Sequence, residues 1–188
     1  SEHIEKLAKI GVSSFKIEGR LKDENYIKNI VAFYRQKLDK IGEKTSSGRV
    51  FLDFKPNVAK SFNRGFTDYF LNGRQKIFNF ETPKSIGERI GKIEHVGKNY
   101  FVIKNNNIHA QDGLYFDGTG CLVNKVEGNK IYPNKMVGIK EGLIVYRNSD
   151  VEFEKLLKNS KTKRQIAVKI NILKNKIEAI DEDNNKVI

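Results

Sequence analysis

The stretch from Ser14 to Arg35, reading Ser-Phe-Lys-Ile-Glu-Gly-Arg-Leu-Lys-Asp-Glu-Asn-Tyr-Ile-Lys-Asn-Ile-Val-Ala-Phe-Tyr-Arg, constrains the fold more than any other. It has the pattern of one strand that hands a Glu and an Arg to the turn before a helix. Phe15 and Ile17 fall on one face of such a strand, while Lys16, Glu18 and Arg20 fall on the other. From Asp23 the apolar positions Ile27, Ile30, Val31, Tyr34, Leu38 and Ile41 follow helical spacing, with Asp23 placed to cap the start and Gly42 to end it. A strand followed by a crossover helix belongs to a parallel sheet and requires further strands of the same kind. The chain holds one such unit, so the expectation is a piece of a larger protein, with a short helix around Ile4–Ala8 preceding the strand.

After the polar break Thr45-Ser46-Ser47-Gly48, aromatic and basic residues alternate without clear periodicity: Phe51, Phe54, Phe62, Arg64, Phe66, Tyr69, Phe70 and Arg74. Residues 47–84 are expected to form an ordered connector, with one helical turn near Val58. From Ser85 the pattern changes to short β-rich runs separated by Gly or Asn turns, the layout of a small antiparallel barrel. The runs cover 89–96, 100–104, 113–117, 121–127, 130–132 and 143–147, and Asp150 is placed to cap a short helix over 151–158. Residues 165–173 and 176–181 predict a hairpin across Lys174-Asn175, and Val187-Ile188 would begin a third strand. The expected architecture is therefore α+β in four parts. A terminal strand-helix unit of a TIM-like barrel (1–46) is followed by the connector (47–84), a small β-barrel with a trailing helix (85–160) and a C-terminal β-hairpin opening a truncated domain (161–188).

The formal charge of +12 is unevenly spread, at +7 over residues 1–80, +2 over 81–160 and +3 over 161–188. Such a basic surface suits phosphate-bearing partners, although a lysine-rich composition that only maintains solubility reads the same way. No apolar run approaches the roughly 20 residues of a membrane helix, so no membrane partner is expected and a cytoplasmic location is. A single cysteine, Cys121, excludes an internal disulfide framework, and the three histidines are scattered without metal-ligand spacing.

Glu18 and Arg20 are the best candidate catalytic residues, because the carboxyl ends of the strands are where α/β barrels build their sites. A Glu18–Arg20 or Glu18–Lys22 ion pair that merely closes the barrel end is the structural alternative. In the connector, Asn63 and Arg64 lie in an Arg-Gly turn among four aromatic rings, a composition that can stack single-stranded bases or bury the connector against its neighbours.

Ser14 to Lys22, the helix through Tyr34-Arg35, and Phe62-Asn63-Arg64-Gly65-Phe66-Thr67 together resemble the collagenase-like peptidase family labelled U thirty-two. Leu21 stands where many members carry methionine. The resemblance implies a TIM-like catalytic domain lying mostly upstream of Ser1, a missing partner of this chain, and a peptidase activity acting on a protein substrate. It equally implies an alternative, since bacterial members include hydroxylation factors for ribosomal or transfer RNA that use an iron–sulfur cluster. Its cysteines belong to the upstream domain and Cys121 does not match them, so no cofactor is expected in this chain. On the peptidase reading Glu18 and Arg20 form one edge of an incomplete catalytic site, and the chain alone is inactive. On the other reading structured RNA is held by the connector and barrel, with Lys16, Lys22, Asn63 and Arg64 as candidate binding residues.

Overall fold

The computed structural model describes residues 3–42, 46–75, 77 and 84–188. The Thr45 end of the expected polar break and positions 78–83 of the expected connector lie outside the described residues. The fold is α+β with three helices and antiparallel sheets among these residues.

Helix α1 (Ile4–Lys9) ends at Gly11, whose backbone turns through φ +97°, a conformation open to glycine, while Val12 N–H donates to Leu7 O at 3.0 Å. Residues 12–19 carry no strand, in contrast to the expectation for Ser13–Gly19. The physical reason is that β structure is made between strands, and no described segment pairs with this one. The turn that follows is nevertheless formed: Lys22 N–H donates to Gly19 O at 3.1 Å, and Leu21 adopts φ +60° with its side chain in solvent. Helix α2 (Glu24–Leu38) starts where expected, with the Asp23 carboxylate accepting from Tyr26 N–H at 2.7 Å. It stops three residues short of Ile41, and Gly42 N–H closes its last turn on Leu38 O.

Strand β1 (Arg49–Phe51) and a 3-10 turn at Val58–Lys60 give order to the connector. The β-rich segment forms β2 (Glu88–Lys92), β3 (His95–Val96), β4 (Phe101–Val102), β5 (Gly113–Phe116), β6 (Thr119–Glu127), β7 (Lys130–Pro133) and β8 (Ile144–Ser149). They make one antiparallel sheet in the order β2-β8-β5-β6-β7-β4-β3. The expected closed barrel is thus a curled open sheet. Its two edges, β2 and β3, are consecutive in the chain, and the link changes partner at once: Ile93 N–H bonds Leu143 O, while Glu94 N–H bonds Val102 O. One bent segment therefore borders both edges without a ladder between them. The interior is filled by Ile93, Phe101, Ile103, Leu114, Phe116, Val123, Ile131 and Val145, each no more than 2% exposed.

Helix α3 (Val151–Asn159) follows, capped by Asp150 as expected, and packs with α2 around a second core of Ala32, Phe54, Phe153 and Leu157. Strand β9 (Lys163–Gln165) pairs with β1, so the predicted strand 165–173 divides at Ile166-Ala167. Strands β10 (Val168–Leu173) and β11 (Lys176–Asp181) form the hairpin across Lys174-Asn175, and β12 (Lys186–Val187) adds the third strand. No described helix is long and apolar enough to cross a membrane.

Candidate functional site

The two sequence motifs, 40 residues apart, meet in space. Asn29, on the inner face of α2 and fully buried, is the joint. Its side chain accepts from Asn57 N–H at 2.8 Å and donates to Asn57 O at 2.6 Å and to Ser61 Oγ at 2.7 Å. An amide placed this way satisfies buried backbone groups that helix and sheet leave open. Asn63 holds the next turn, donating from Nδ2 to Ala59 O and Ser61 O at 3.1 and 3.0 Å, while Gly65 N–H donates to its Oδ1 at 3.3 Å.

This bracing sets Phe62 beside the start of α2, where Lys22 Nζ lies 3.4 Å from the Phe62 ring centroid and 5.7 Å from that of Tyr26. The pair stands on a cleft of about 290 Å³ lined by Lys22, Asp23, Tyr26, Lys60, Phe62 and Glu154 among others. It is a mixed surface of cation, carboxylate and aromatic ring, suited to a ligand with a π face and negative charge.

Behind the cleft lies a buried ion network. Arg147, its side chain 1% exposed, approaches Glu88 at 2.8 Å, Asp150 at 2.9 Å and Asp112 at 3.2 Å, and donates to Asn107 O. Lys60 Nζ reaches Asp150 at 2.5 Å and Glu88 at 3.9 Å. Asp112 also accepts from His109 and Val151 N–H, and Asp150 from Phe153 N–H. Burial works to raise the Asp150 pKa, but the bonds from Lys60 and Phe153 N–H and the Arg147 charge outweigh it and hold the carboxyl below its ordinary value. Burial works to lower the Arg147 pKa in turn, and its carboxylate partners overcome this and raise it. The network ties the 3-10 turn, β2, β8 and the start of α3 together. Its members are committed to one another, which marks it as scaffold for the cleft.

The structure separates the sequence-predicted residues. Lys22 is at the cleft; Glu18, Arg20, Lys16 and Arg64 are exposed and do not line it, and Asn63 is buried in the turn it braces. The Glu18 carboxylate accepts from Arg20 N–H at 2.9 Å, so the pair contacts through the backbone of the turn. Lys60, Glu88, Asp112 and Arg147 were missed as a group. One signal existed: strand alternation puts Arg147 on the same face as Val145, which is completely buried, and a cation there needs carboxylates.

The implied iron–sulfur cluster does not fit the donors of this chain. Such clusters take several thiolates, whereas Cys121 is the one cysteine and burial pushes its thiol up to about 11. Among the described residues no three His, Cys, Asp or Glu side chains gather as metal ligands.

Comparison with known proteins places these features. The chain is 37% identical over 183 residues to the 23S rRNA 5-hydroxycytidine C2501 synthase of Escherichia coli (strain K12), covering 86% of this chain and 28% of the relative. It is 31% identical over 159 residues to tRNA hydroxylation protein P of Haemophilus influenzae, covering 78% and 34%. It is 27% identical over 141 residues to a collagenase of Porphyromonas gingivalis, covering 66% and 32%. The chain thus spans about a third or less of the length of these relatives. No solved structure matches it significantly. Residues 1–81, which carry both motifs and the cation-aromatic pair, match Peptidase family U32, and it is to this family that the chain belongs.

Proposed function

We propose that this chain is part of an RNA-modifying enzyme that hydroxylates ribosomal or transfer RNA, in which it helps to hold the RNA. This reverses the order expected from sequence, where peptidase came first. The observation that carries it is the extent of likeness: similarity to the rRNA synthase spans 86% of the chain, well beyond the family segment at 1–81. Similarity to the collagenase covers 66% at lower identity. The concentration of positive charge over residues 1–80 and the Lys22–Phe62 pair agree with an RNA partner.

In this reading residues 1–46 close a TIM-like catalytic domain whose other strands lie outside the chain. Val12, Ile17, Ile27 and Val31 are exposed along the unpaired segment and α2, as expected of surfaces that a larger domain covers. Glu18 and Arg20 then stand at one edge of the catalytic mouth, and Lys16, Lys22 and Arg64 contact RNA, with Asn63 positioning Arg64. The connector at 47–84, the sheet domain at 85–160 and the further domain opening at 161–188 follow. A cytoplasmic location goes with such a substrate, and any iron–sulfur cluster would be held by cysteines of the upstream domain.

Nucleoside mass spectrometry of cellular rRNA and tRNA, with and without the full-length protein, tests this. Loss of one hydroxylated nucleoside on deletion is expected; an unchanged nucleoside profile would sink the reading. The relatives named collagenase support peptidase activity as the second reading, which an unchanged profile together with peptide cleavage by the full-length protein would favour.

A further inference from the structure

We propose that the outer face of β3, β4, β7 and β6 is a docking platform for single-stranded RNA, built on Tyr100 and Tyr132. This deepens the RNA reading above and rests on it for the choice of partner. The strand registers place the platform. Val102 lies opposite His95 and Lys130, and Lys130 opposite Glu127, so these four share the face turned away from the core. One row along, Tyr132 lies opposite Lys125, and Tyr100 sits beside it at the β4 edge. Between these rows Phe101 and Ile131 point inward and are fully buried, which confirms the alternation.

The two tyrosine rings are 5.7 Å apart and tilted by 48°, and each has a lysine above it: Lys130 Nζ is 4.9 Å from the Tyr100 centroid and Lys125 Nζ is 5.8 Å from that of Tyr132. The rings are held in place. A side chain at Gly97 would come within 2.5 Å of Tyr100, so glycine there lets the ring lie against the backbone. The Tyr132 hydroxyl donates to Glu127 at 2.8 Å, and the same carboxylate pairs with Lys125 at 2.5 Å. On the rim His95 pairs with Glu141, and Lys104 with Glu94. The three glutamates are thus each tied to a neighbour. Lys98, in the turn before Tyr100, and Lys130 have no carboxylate within ion-pair distance among the described residues.

Bases can stack on tyrosine whatever their identity, the lysines now over the rings swinging aside on their flexible stems to neutralise the phosphates on either side. A duplex hides its base faces, so the fit is to an unpaired segment. The platform lies on the β-sheet, apart from the Lys22–Phe62 cleft, and would give a modifying enzyme a second hold on the same RNA.

The test is binding of a fluorescent oligouridylate and of a duplex RNA to the full chain by anisotropy, with photocross-linking of a 4-thiouridine oligonucleotide to the unmodified chain. Expected results are preference for the oligouridylate, weakening with salt, and cross-links within residues 95–104 and 124–134. Substitution of both Tyr100→Ala and Tyr132→Ala should weaken binding by at least about tenfold, while Tyr132→Phe, which keeps the ring and loses the hydroxyl, should bind as before. Unchanged binding by the double variant, preference for duplex, or cross-links confined to other segments would overturn the platform. Cross-linking reads the unmodified chain, so the outcome does not depend on the variant folding. If deletion of the protein removes an RNA hydroxyl but cross-links fall elsewhere, the platform fails and the RNA reading stands. If cross-links map to the tyrosines while no hydroxyl is lost, the reverse holds.

Discussion

Arg147 shows how much one side chain can organise. Three carboxylates from β2, the segment before β5 and the cap of α3 converge on a guanidinium that is shielded from water. Removing it leaves the buried Asp112 without a cation and Glu88 and Asp150 with Lys60 alone, and breaking a buried pair in this way typically costs about 3–5 kcal/mol. Arg147→Met is therefore expected to lower the urea midpoint strongly; a loss of under about 1 kcal/mol would show that the carboxylates are compensated otherwise. Asp150 gives a pH test. Its folded pKa lies below the ordinary 3.8, so its contribution is fully present above that value and is lost as pH falls through the folded pKa. Asp150→Asn should flatten the acid limb of the stability curve and leave its neutral-to-alkaline side with the same slope, as read by thermal melting across pH. Of this network the sequence revealed only the Asp150 cap, because Lys60 and Asp150 are 90 positions apart and nothing in local pattern links them.

Among the elements, α2 and α3 were legible because capping and periodicity are local signals. Asp23→Ala removes the bond to Tyr26 N–H and should cost about 1 kcal/mol, measured by chemical denaturation, with the Lys22–Phe62 contact loosened as the helix start frays. The hairpin β10–β11 was equally legible from alternation across a two-residue turn. That same alternation leaves Val168, Ile170, Ile172, Ile177 and Val187 on one exposed face, since Ile172 lies opposite Ile177 and Ala179 lies between Ile170 and Val187. An apolar face of this kind favours association. Ile172→Lys is expected to keep the circular dichroism spectrum and to lower self-association in light scattering; loss of the fold would show that Ile172 is needed within the chain. The Ser13–Gly19 segment forms no strand in this chain for the opposite reason: its alternation is real, but a strand exists only where a partner supplies its hydrogen bonds, and no described segment does.

At the scale of the whole molecule, the contacts run between segments distant in sequence. Helix α2 rests on α3, with Lys28 Nζ donating to Leu157 O across 129 positions, and β1 pairs with β9. The family segment is thereby fastened to the β-rich segment through packing and polar bonds together. A chain that spans about a third of its relatives is expected to lack their chemistry by itself. Purified chain should show no peptide cleavage in a gelatin or fluorogenic-peptide assay; reproducible turnover abolished by Glu18→Gln would place a complete site within these residues.

Local interactions decide what can be read from one segment at a time, and here they determined the helices with their caps, most of the short strands, the C-terminal hairpin and the two family motifs. The tertiary structure decided what those pieces do together. It curled the β-rich segment into an open sheet, carried Phe62 to Lys22 through the buried Asn29, gathered the charges around Arg147, and set Tyr100 beside Tyr132. Each of these depends on the free energy of bringing distant residues out of water at one place, a quantity that no window of sequence contains.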